Sequence, residues 1–184
     1  MSKKFSAVLK ISVMAMLVAL AIVSLFFIRF PLIPSAPFLE YDCADIPALI
    51  ASLVFGPVSG LAVLFCVCII QAFTVSASSG IIGFFMHFIA SCVLILIPSL
   101  IYKKKKSVKS LVIGLIIASA AMTLVMIPLN LVFTGIFMGV GTKQIVQMLI
   151  PAIIPFNLAK ACINSVATLL IYIPLSKTKE TEQG

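Results

Sequence analysis

The chain has 184 residues, of which 62% are hydrophobic and 10% charged, and its formal net charge is +8. Soluble domains are about 45–50% apolar and about 25% charged, and a compact soluble fold of this length cannot bury so much apolar surface. The composition therefore excludes an ordinary soluble enzyme, a disordered regulator and a secreted disulfide scaffold. It indicates a protein that lies in a lipid bilayer.

The first apolar run covers residues 8–28 and follows two lysines. A cleaved signal peptide is the alternative interpretation, because residues 19–21 resemble a cleavage site. The run is longer than the roughly 7–15 apolar residues of a signal peptide, so we interpret it as a retained membrane span. Ala15 and Ala19 lie four residues apart in this span, and small residues at that spacing let another helix approach closely.

The segment from Arg29 to Asp45 has a different character. It contains three prolines and three of the chain's five acidic residues, Glu40, Asp42 and Asp45. Because prolines cannot continue a helix, the segment predicts an ordered loop. No catalytic motif accompanies the acids, so we interpret them as solvated loop residues, with Asp45 as an alternative helix cap before Ile46.

Residues 46–73 form a run without any charged residue, interrupted by Gly56-Pro57. A single tilted span would put the lysines at 103–109 on the opposite side of the membrane from the N-terminal lysines. Two crossings, over 46–55 and 57–73, put both groups on the same side, as the positive-inside rule favours. The first crossing is only about 15 Å long, so we expect it to borrow residues from the preceding loop or to border an aqueous cavity.

Three further apolar runs cover residues 80–102, 111–133 and 149–173, and residues 74–79 and 134–147 are predicted as outer loops. The sequence thus predicts that all 184 residues form a single all-α integral membrane domain with six transmembrane helices and both termini in the cytoplasm. Because the basic residues flank apolar runs, they indicate cytoplasmic loops and not a nucleic-acid surface. Those on the inside are Lys3, Lys4, Lys10, Lys103, Lys104, Lys105, Lys106, Lys109, Lys177 and Lys179, whereas Arg29 and Lys143 lie outside.

Lys160 is the clearest candidate for a functional residue, because a charge within a span is expensive in hydrocarbon. It shares a helix face with Asn157 and, one turn later, with Asn164. In one interpretation Lys160 and Asn157 face a ligand. In the other, Lys160 extends to the outer interface and Asn157 bonds another helix. Asn130, which follows Pro128, either lines the same site or makes a hydrogen bond between helices.

The remaining reactive side chains predict neither catalysis nor a metal centre. Four of the five cysteines lie inside apolar runs, where cysteine behaves as a small hydrophobic residue. His87 has no partner at the spacing of metal ligands, so we interpret it as structural or interfacial. No Ser/His/Asp or Cys/His arrangement is recognisable.

Two passages carry a resemblance to a known family. The passage from Glu40 to Leu49, which runs into Phe55-Gly56-Pro57, resembles the substrate-binding S components of energy-coupling factor (ECF) vitamin transporters. The length, the six predicted spans and the small-residue motif are also similar. The first passage and Pro155-Phe-Asn-Leu-Ala-Lys160 are similar to the riboflavin branch of that family.

The resemblance implies that the chain binds riboflavin at the extracellular side of a bacterial plasma membrane, under the loop between the first two spans. Riboflavin would be the transported ligand, no cofactor is implied, and the ammonium leaves FMN as an alternative ligand. The chain has no tryptophan, so stacking on the flavin would fall to phenylalanine, Tyr41 or aliphatic walls. The candidate ligand-binding residues are Asn130, Asn157, Lys160, Glu40, Tyr41 and Asn164.

The resemblance also implies partners. Ala15 and Ala19 would pack on a transmembrane coupling subunit that carries two cytoplasmic ATPases. The chain has no GxxxxGK[ST] pattern, which agrees with energy supplied by other chains. The alternatives are an S component for another vitamin or a nucleobase-like precursor, and a membrane accessory subunit without a ligand. A membrane enzyme is disfavoured by the missing catalytic arrangement.

Overall fold

A computed structural model describes the backbone of residues 7–181 and the side chains of residues 7–176. Lys3 and Lys4, and the side chains of Lys177 and Lys179, lie outside these ranges. Eight α-helices and a two-stranded antiparallel hairpin are described. The helices are α1 (Ala7–Phe27), α2 (Asp45–Phe55), α3 (Pro57–Phe73), α4 (Gly80–Lys104), α5 (Val108–Leu129), α6 (Gly135–Met138), α7 (Thr142–Met148) and α8 (Ile154–Thr181), and the strands are β1 (Arg29–Pro31) and β2 (Glu40–Asp42).

Four helical stretches are long and apolar enough to cross a membrane, whereas α2 and α3 are shorter apolar helices. Large apolar side chains cover much of the outer surface, which a bilayer solvates and water does not. The chain is therefore a predominantly helical membrane protein. The four long stretches are Ala7–Phe27, Gly80–Lys104, Val108–Met138 and Thr142–Ser176.

The short helix α2 lies in the middle of the bundle and packs against α1, α3, α4 and α8. It ends at Gly56, whose φ of 100° is a conformation that side-chain-bearing residues rarely adopt, and α3 begins at Pro57. A Cβ atom at Gly60 would come within 2.4 Å of the Ser52 Cβ. The glycines therefore permit both the sharp turn and the close packing of α2 against α3.

The prediction that residues 134–147 form a loop is wrong, because most of these residues are helical. A π-helical turn at Asn130–Thr134 extends α5 into α6, and a second π-helical turn at Leu149–Ile153 joins α7 to α8. Only the short segment around Gly139, with a φ of 65°, breaks the helical path. The second wider turn accommodates Pro151 in the helical path. Of the glycines in this segment, Gly139 and Gly141 lie at the break, whereas Gly135 begins α6.

The bundle contains two patches of small residues with different surroundings. Gly114 and Ala118 of α5 face the interior, where a Cβ at Gly114 would come within 2.8 Å of the Pro98 Cα in α4. Ala15 and Ala19 of α1 are exposed. The first patch therefore serves packing within the chain, whereas the second remains free to contact another helix.

Candidate functional site

The hairpin covers one end of the helix bundle. β1 pairs with β2 in the register Phe30 to Tyr41, and apolar residues of the hairpin segment pack on α7 and the second π-helical turn. This small core is separate from the main core of the bundle. It fixes the acid-bearing strand β2 over the ends of α2 and α8.

A cavity of about 170 Å³ lies under the hairpin, between α3, α4, α5 and α8. Its walls combine aromatic rings and thioethers with amide, hydroxyl and charged groups, a combination typical of small-molecule sites. The residues that line it are Arg29, Phe38, Glu40, Asp42, Gln71, Ser76, Ser79, Met86, His87, Ala90, Met122, Met126, Phe156, Asn157 and Lys160.

Lys160 is buried and bonded within the chain. Its Nζ atom lies 2.8 Å from Asp42 Oδ2, and both side chains are at least nine-tenths buried. The interpretation that Lys160 extends to the membrane interface is therefore wrong. So is the interpretation of Asp42 as a solvated loop acid, because β2 turns this carboxylate inward to compensate the ammonium.

Asp45 is completely buried, and it is neither solvated nor a helix cap. Its Oδ1 accepts from His87 Nε2 at 3.0 Å, and its Oδ2 accepts from Asn164 Nδ2 at 3.2 Å. The cap position of α2 is Ala44, and no side chain caps it. Asp45 instead joins α2, α4 and α8 at one point, because a buried carboxylate needs several donors.

Tyr41 and Asn164 complete this polar cluster. The Tyr41 hydroxyl donates to Asn164 Oδ1 at 2.9 Å. Burial, with smaller contributions from Cys43 and Asp42, raises the pKa of Tyr41 to about 12. The hydroxyl therefore stays protonated at neutral pH and remains a donor. Both residues lie behind the cavity wall, where they orient the residues that line it.

The two candidate asparagines, Asn130 of the first π-helical turn and Asn157 of α8, have similar hydrogen bonds to the backbone but different positions. Asn157 Nδ2 donates to Ile153 O at 2.8 Å, and Asn130 Nδ2 donates to Met126 O at 2.7 Å. Each side-chain amide thus donates to a backbone carbonyl beside a π-helical turn, where the regular hydrogen-bond pattern of the α-helix changes. Asn157 lines the cavity, whereas Asn130 is buried against Thr134 and does not.

Gln71 and His87 line the wall opposite α8, and the sequence did not single them out as ligand contacts. Gln71 Nε2 donates to Ser76 Oγ at 3.2 Å, whereas its Oε1 is buried without a partner among the described residues. Such an atom is costly unless something donates to it. The signal in the sequence was a lone glutamine in an apolar helix, which by itself does not distinguish a ligand contact from a helix contact.

The rim of the cavity is held by Arg29. Its Nε donates to Glu40 Oε2 at 2.7 Å, and its Nη1 donates to the carbonyl of Val75 at 2.5 Å. Arg29 thereby ties the hairpin to the segment between α3 and α4. Because both side chains of the ion pair are partly exposed, this link is weaker than the buried pairs below it.

The chain is similar to known proteins over most of its length. Residues 9–172 match the family model of the ECF transporter substrate-specific component. Riboflavin transporter FmnP of Bacillus subtilis (strain 168) is 31% identical over 183 residues, which cover 95% of this chain and 96% of that protein. Riboflavin transporter RibU of Staphylococcus aureus (strain TCH60) is 34% identical over 164 residues, which cover 86% of this chain and 85% of that protein.

A solved structure, described as that of the S component of a bacterial ECF transporter, has the same fold. The TM-score is 0.79 at 34% sequence identity, and the match covers 92% of this chain and 96% of the solved one. The similarity therefore extends over most of the chain and is not confined to one motif.

Proposed function

Since the chain belongs to the family of ECF transporter substrate-specific components, which are transport proteins and not enzymes, we propose that it binds riboflavin and mediates its uptake. The relatives that carry the name riboflavin transporter support this ligand. The predictions of a transport component without catalytic activity are confirmed by this membership. The alternatives of an accessory subunit without a ligand and of an S component for another vitamin are the outcomes against which the proposal is tested.

The cavity under the hairpin is the observation that carries the proposal. Riboflavin combines a flat tricyclic ring, polar along one edge, with a polyhydroxyl chain. Phe38 and Phe156 offer aromatic surface for the ring, and Met122 offers a deformable apolar contact. The amide of Asn157 and the ammonium of Lys160 are suited to ring carbonyls and hydroxyls.

Charge balance supports a neutral ligand over a phosphorylated one. Asp42 already compensates the ammonium of Lys160, and Asp45 adds a second carboxylate beside His87. A phosphate in the cavity would approach the carboxylates that line it, Asp42 and Glu40, in a partly desolvated site, which is unfavourable. We therefore favour riboflavin over FMN as the ligand. The proposed direct contacts are Asn157, Lys160 and Glu40. The proposed positioning residues are Tyr41, Asn164 and Asn130.

We further propose six crossings of a bacterial plasma membrane, with both termini in the cytoplasm. The helix break at Gly56 and the central position of α2 support counting α2 and α3 as separate crossings. Because Asp45 borders the polar cluster at one end of α2, the short helix does not have to span the full hydrocarbon thickness in contact with lipid. This topology places the cavity on the extracellular side.

The direct test is riboflavin binding by the purified chain. Protein purified in detergent from a riboflavin-producing host is expected to be yellow, with about one flavin per chain. After the flavin is removed, the protein should quench the fluorescence of added riboflavin to a stoichiometric end point. Titration with thiamine and biotin serves as the control. A colourless protein that leaves riboflavin fluorescence unchanged contradicts the proposal, and tight binding of another vitamin favours the alternative ligand.

The exposed alanines of α1 are the proposed contact with a transmembrane coupling subunit that carries two cytoplasmic ATPases. Changing Ala15→Trp together with Ala19→Trp should leave riboflavin binding intact and abolish uptake, because the bulky rings prevent close helix approach. Uptake of radiolabelled riboflavin by cells is the measurement. The matched control is Met16→Trp with Leu20→Trp, at neighbouring exposed positions. Equal uptake in both double variants would refute the contact.

A further inference from the structure

A second cavity lies at the opposite end of α2, and the proposed function does not use it. It has a volume of about 160 Å³ and is bordered by the α2–α3 turn and by the last turn of α4. Its apolar walls include Leu53, Pro57 and the ring of Tyr102, and Lys103 and Lys106 stand at its rim. We call this region the lysine end, and the region of Glu40, Asp42 and Asp45 the acidic end.

The walls of this cavity are fixed by contacts within the chain. The rings of Tyr102 and Tyr172 meet edge to face at 5.6 Å, and the Tyr172 hydroxyl donates to Leu53 O at 3.4 Å. Ser99 Oγ donates to Ser52 O at 3.1 Å. Because these polar groups already have partners, the interior of the cavity is suited to an apolar occupant.

The rim, in contrast, carries positive charge that has no acidic partner among the described side chains. The acids whose side chains are described, Glu40, Asp42 and Asp45, all lie at the acidic end, about 16 Å away along α2. Lys103 belongs to the last turn of α4, and the extended backbone at Lys105 turns the chain so that Lys106 also borders the cavity. Lys104 and Lys105, which are equally exposed, do not border it.

We propose that this cavity binds an anionic phospholipid, with the headgroup phosphate between Lys103 and Lys106 and the upper acyl chain or glycerol on the apolar walls. The position supports this occupant, because the last turn of an apolar span lies at the boundary between hydrocarbon and headgroups. A free phosphate ion would use the two ammonium groups but gain nothing from the walls. The proposal goes beyond riboflavin binding and does not depend on it.

Native mass spectrometry of the full chain with equimolar phosphatidylglycerol and phosphatidylcholine tests the proposal. We expect one phosphatidylglycerol to be retained per chain. Lys103→Gln with Lys106→Gln should lower that affinity about tenfold. The matched control, Lys104→Gln with Lys105→Gln, removes the same charge away from the cavity and should change the affinity less than twofold. Equal loss in both double variants, or equal retention of the two lipids, would overturn the proposal.

Two further measurements complete the test. Glycerol 1-phosphate at millimolar concentration should not displace the lipid, and displacement would assign the site to a soluble phosphate. The chain has no tryptophan, so Tyr102→Trp provides a single reporter. Brominated phosphatidylglycerol should quench it more than brominated phosphatidylcholine, whereas both should quench the control Phe73→Trp equally. Riboflavin titration of every variant checks that the fold is retained, because the two cavities lie at opposite ends of α2.

Discussion

The two ends of α2 differ in whether the charged side chains near them are paired within the chain. At the acidic end, Asp42 and Asp45 are buried, and each has a basic partner from another helix. At the lysine end, Lys103 and Lys106 are exposed and have no acidic partner among the described side chains. The charges near the first cavity therefore hold the helices together, whereas the charges near the second remain available to a molecule outside the chain.

Breaking the buried ion pair between Asp42 and Lys160 should have the largest effect on stability and on riboflavin binding. Lys160→Met leaves Asp42 unpaired in the interior, which costs about 3–5 kcal/mol. We expect a lower thermal unfolding temperature and a loss of riboflavin affinity of at least about 100-fold. Unfolding in detergent and fluorescence titration are the measurements.

The double variant Asp42→Asn with Lys160→Met separates stability from recognition. It leaves no unpaired charge, so the unfolding temperature should return close to that of the unsubstituted chain, while riboflavin binding stays weak. If the double variant unfolds as early as Lys160→Met alone, the ion pair is not the source of the instability.

Gln71 Oε1, which has no hydrogen-bond partner among the described residues, lies in the wall of the riboflavin cavity. Removing this acceptor should have an intermediate effect on riboflavin affinity. Gln71→Met keeps the length of the side chain but removes the buried Oε1, and we expect riboflavin affinity to fall about tenfold through the loss of one buried hydrogen bond. Ser76→Ala is the comparison variant: Ser76 also lines the cavity, but its hydroxyl can be removed while the Gln71 Oε1 acceptor stays in place, so the substitution should cost less. An unchanged titration for Gln71→Met would show that this amide does not contact the ligand.

Removing the ion pair at the rim of the riboflavin cavity should have the smallest effect on riboflavin binding. Glu40→Gln removes the ion pair with Arg29, and exposed pairs contribute about 0.2–1 kcal/mol. We therefore expect riboflavin to dissociate up to about fivefold faster in stopped-flow fluorescence, with the difference shrinking at high salt. A salt-independent change would assign the effect to the proposed contact of Glu40 with the ligand and not to its ion pair with Arg29.

The sequence predicted the features that depend on local pattern. Gly56-Pro57 marked the break between α2 and α3, and the spacing of Asn157, Lys160 and Asn164 placed them on one face of α8. Pairing across the chain was not predictable in the same way. Asp42 and Lys160 are 118 residues apart, so nothing near Asp42 showed that its carboxylate turns inward. Likewise, the glycines of residues 134–147 suggested a loop because proline-tolerant π-helical turns have no clear sequence signature.

The distance between Asp42 and Lys160 along the chain also sets an order of events during synthesis. After Asp42 the ribosome adds 118 residues to reach Lys160, which takes about 6–24 s at roughly 5–20 residues per second. Until the last long helix enters the membrane, Asp42 lacks the Lys160 ammonium and Asp45 lacks the Asn164 amide that later bond them. Arrival of that helix therefore supplies both partners at once, and a chain arrested before it would hold the two carboxylates without this ammonium and this amide.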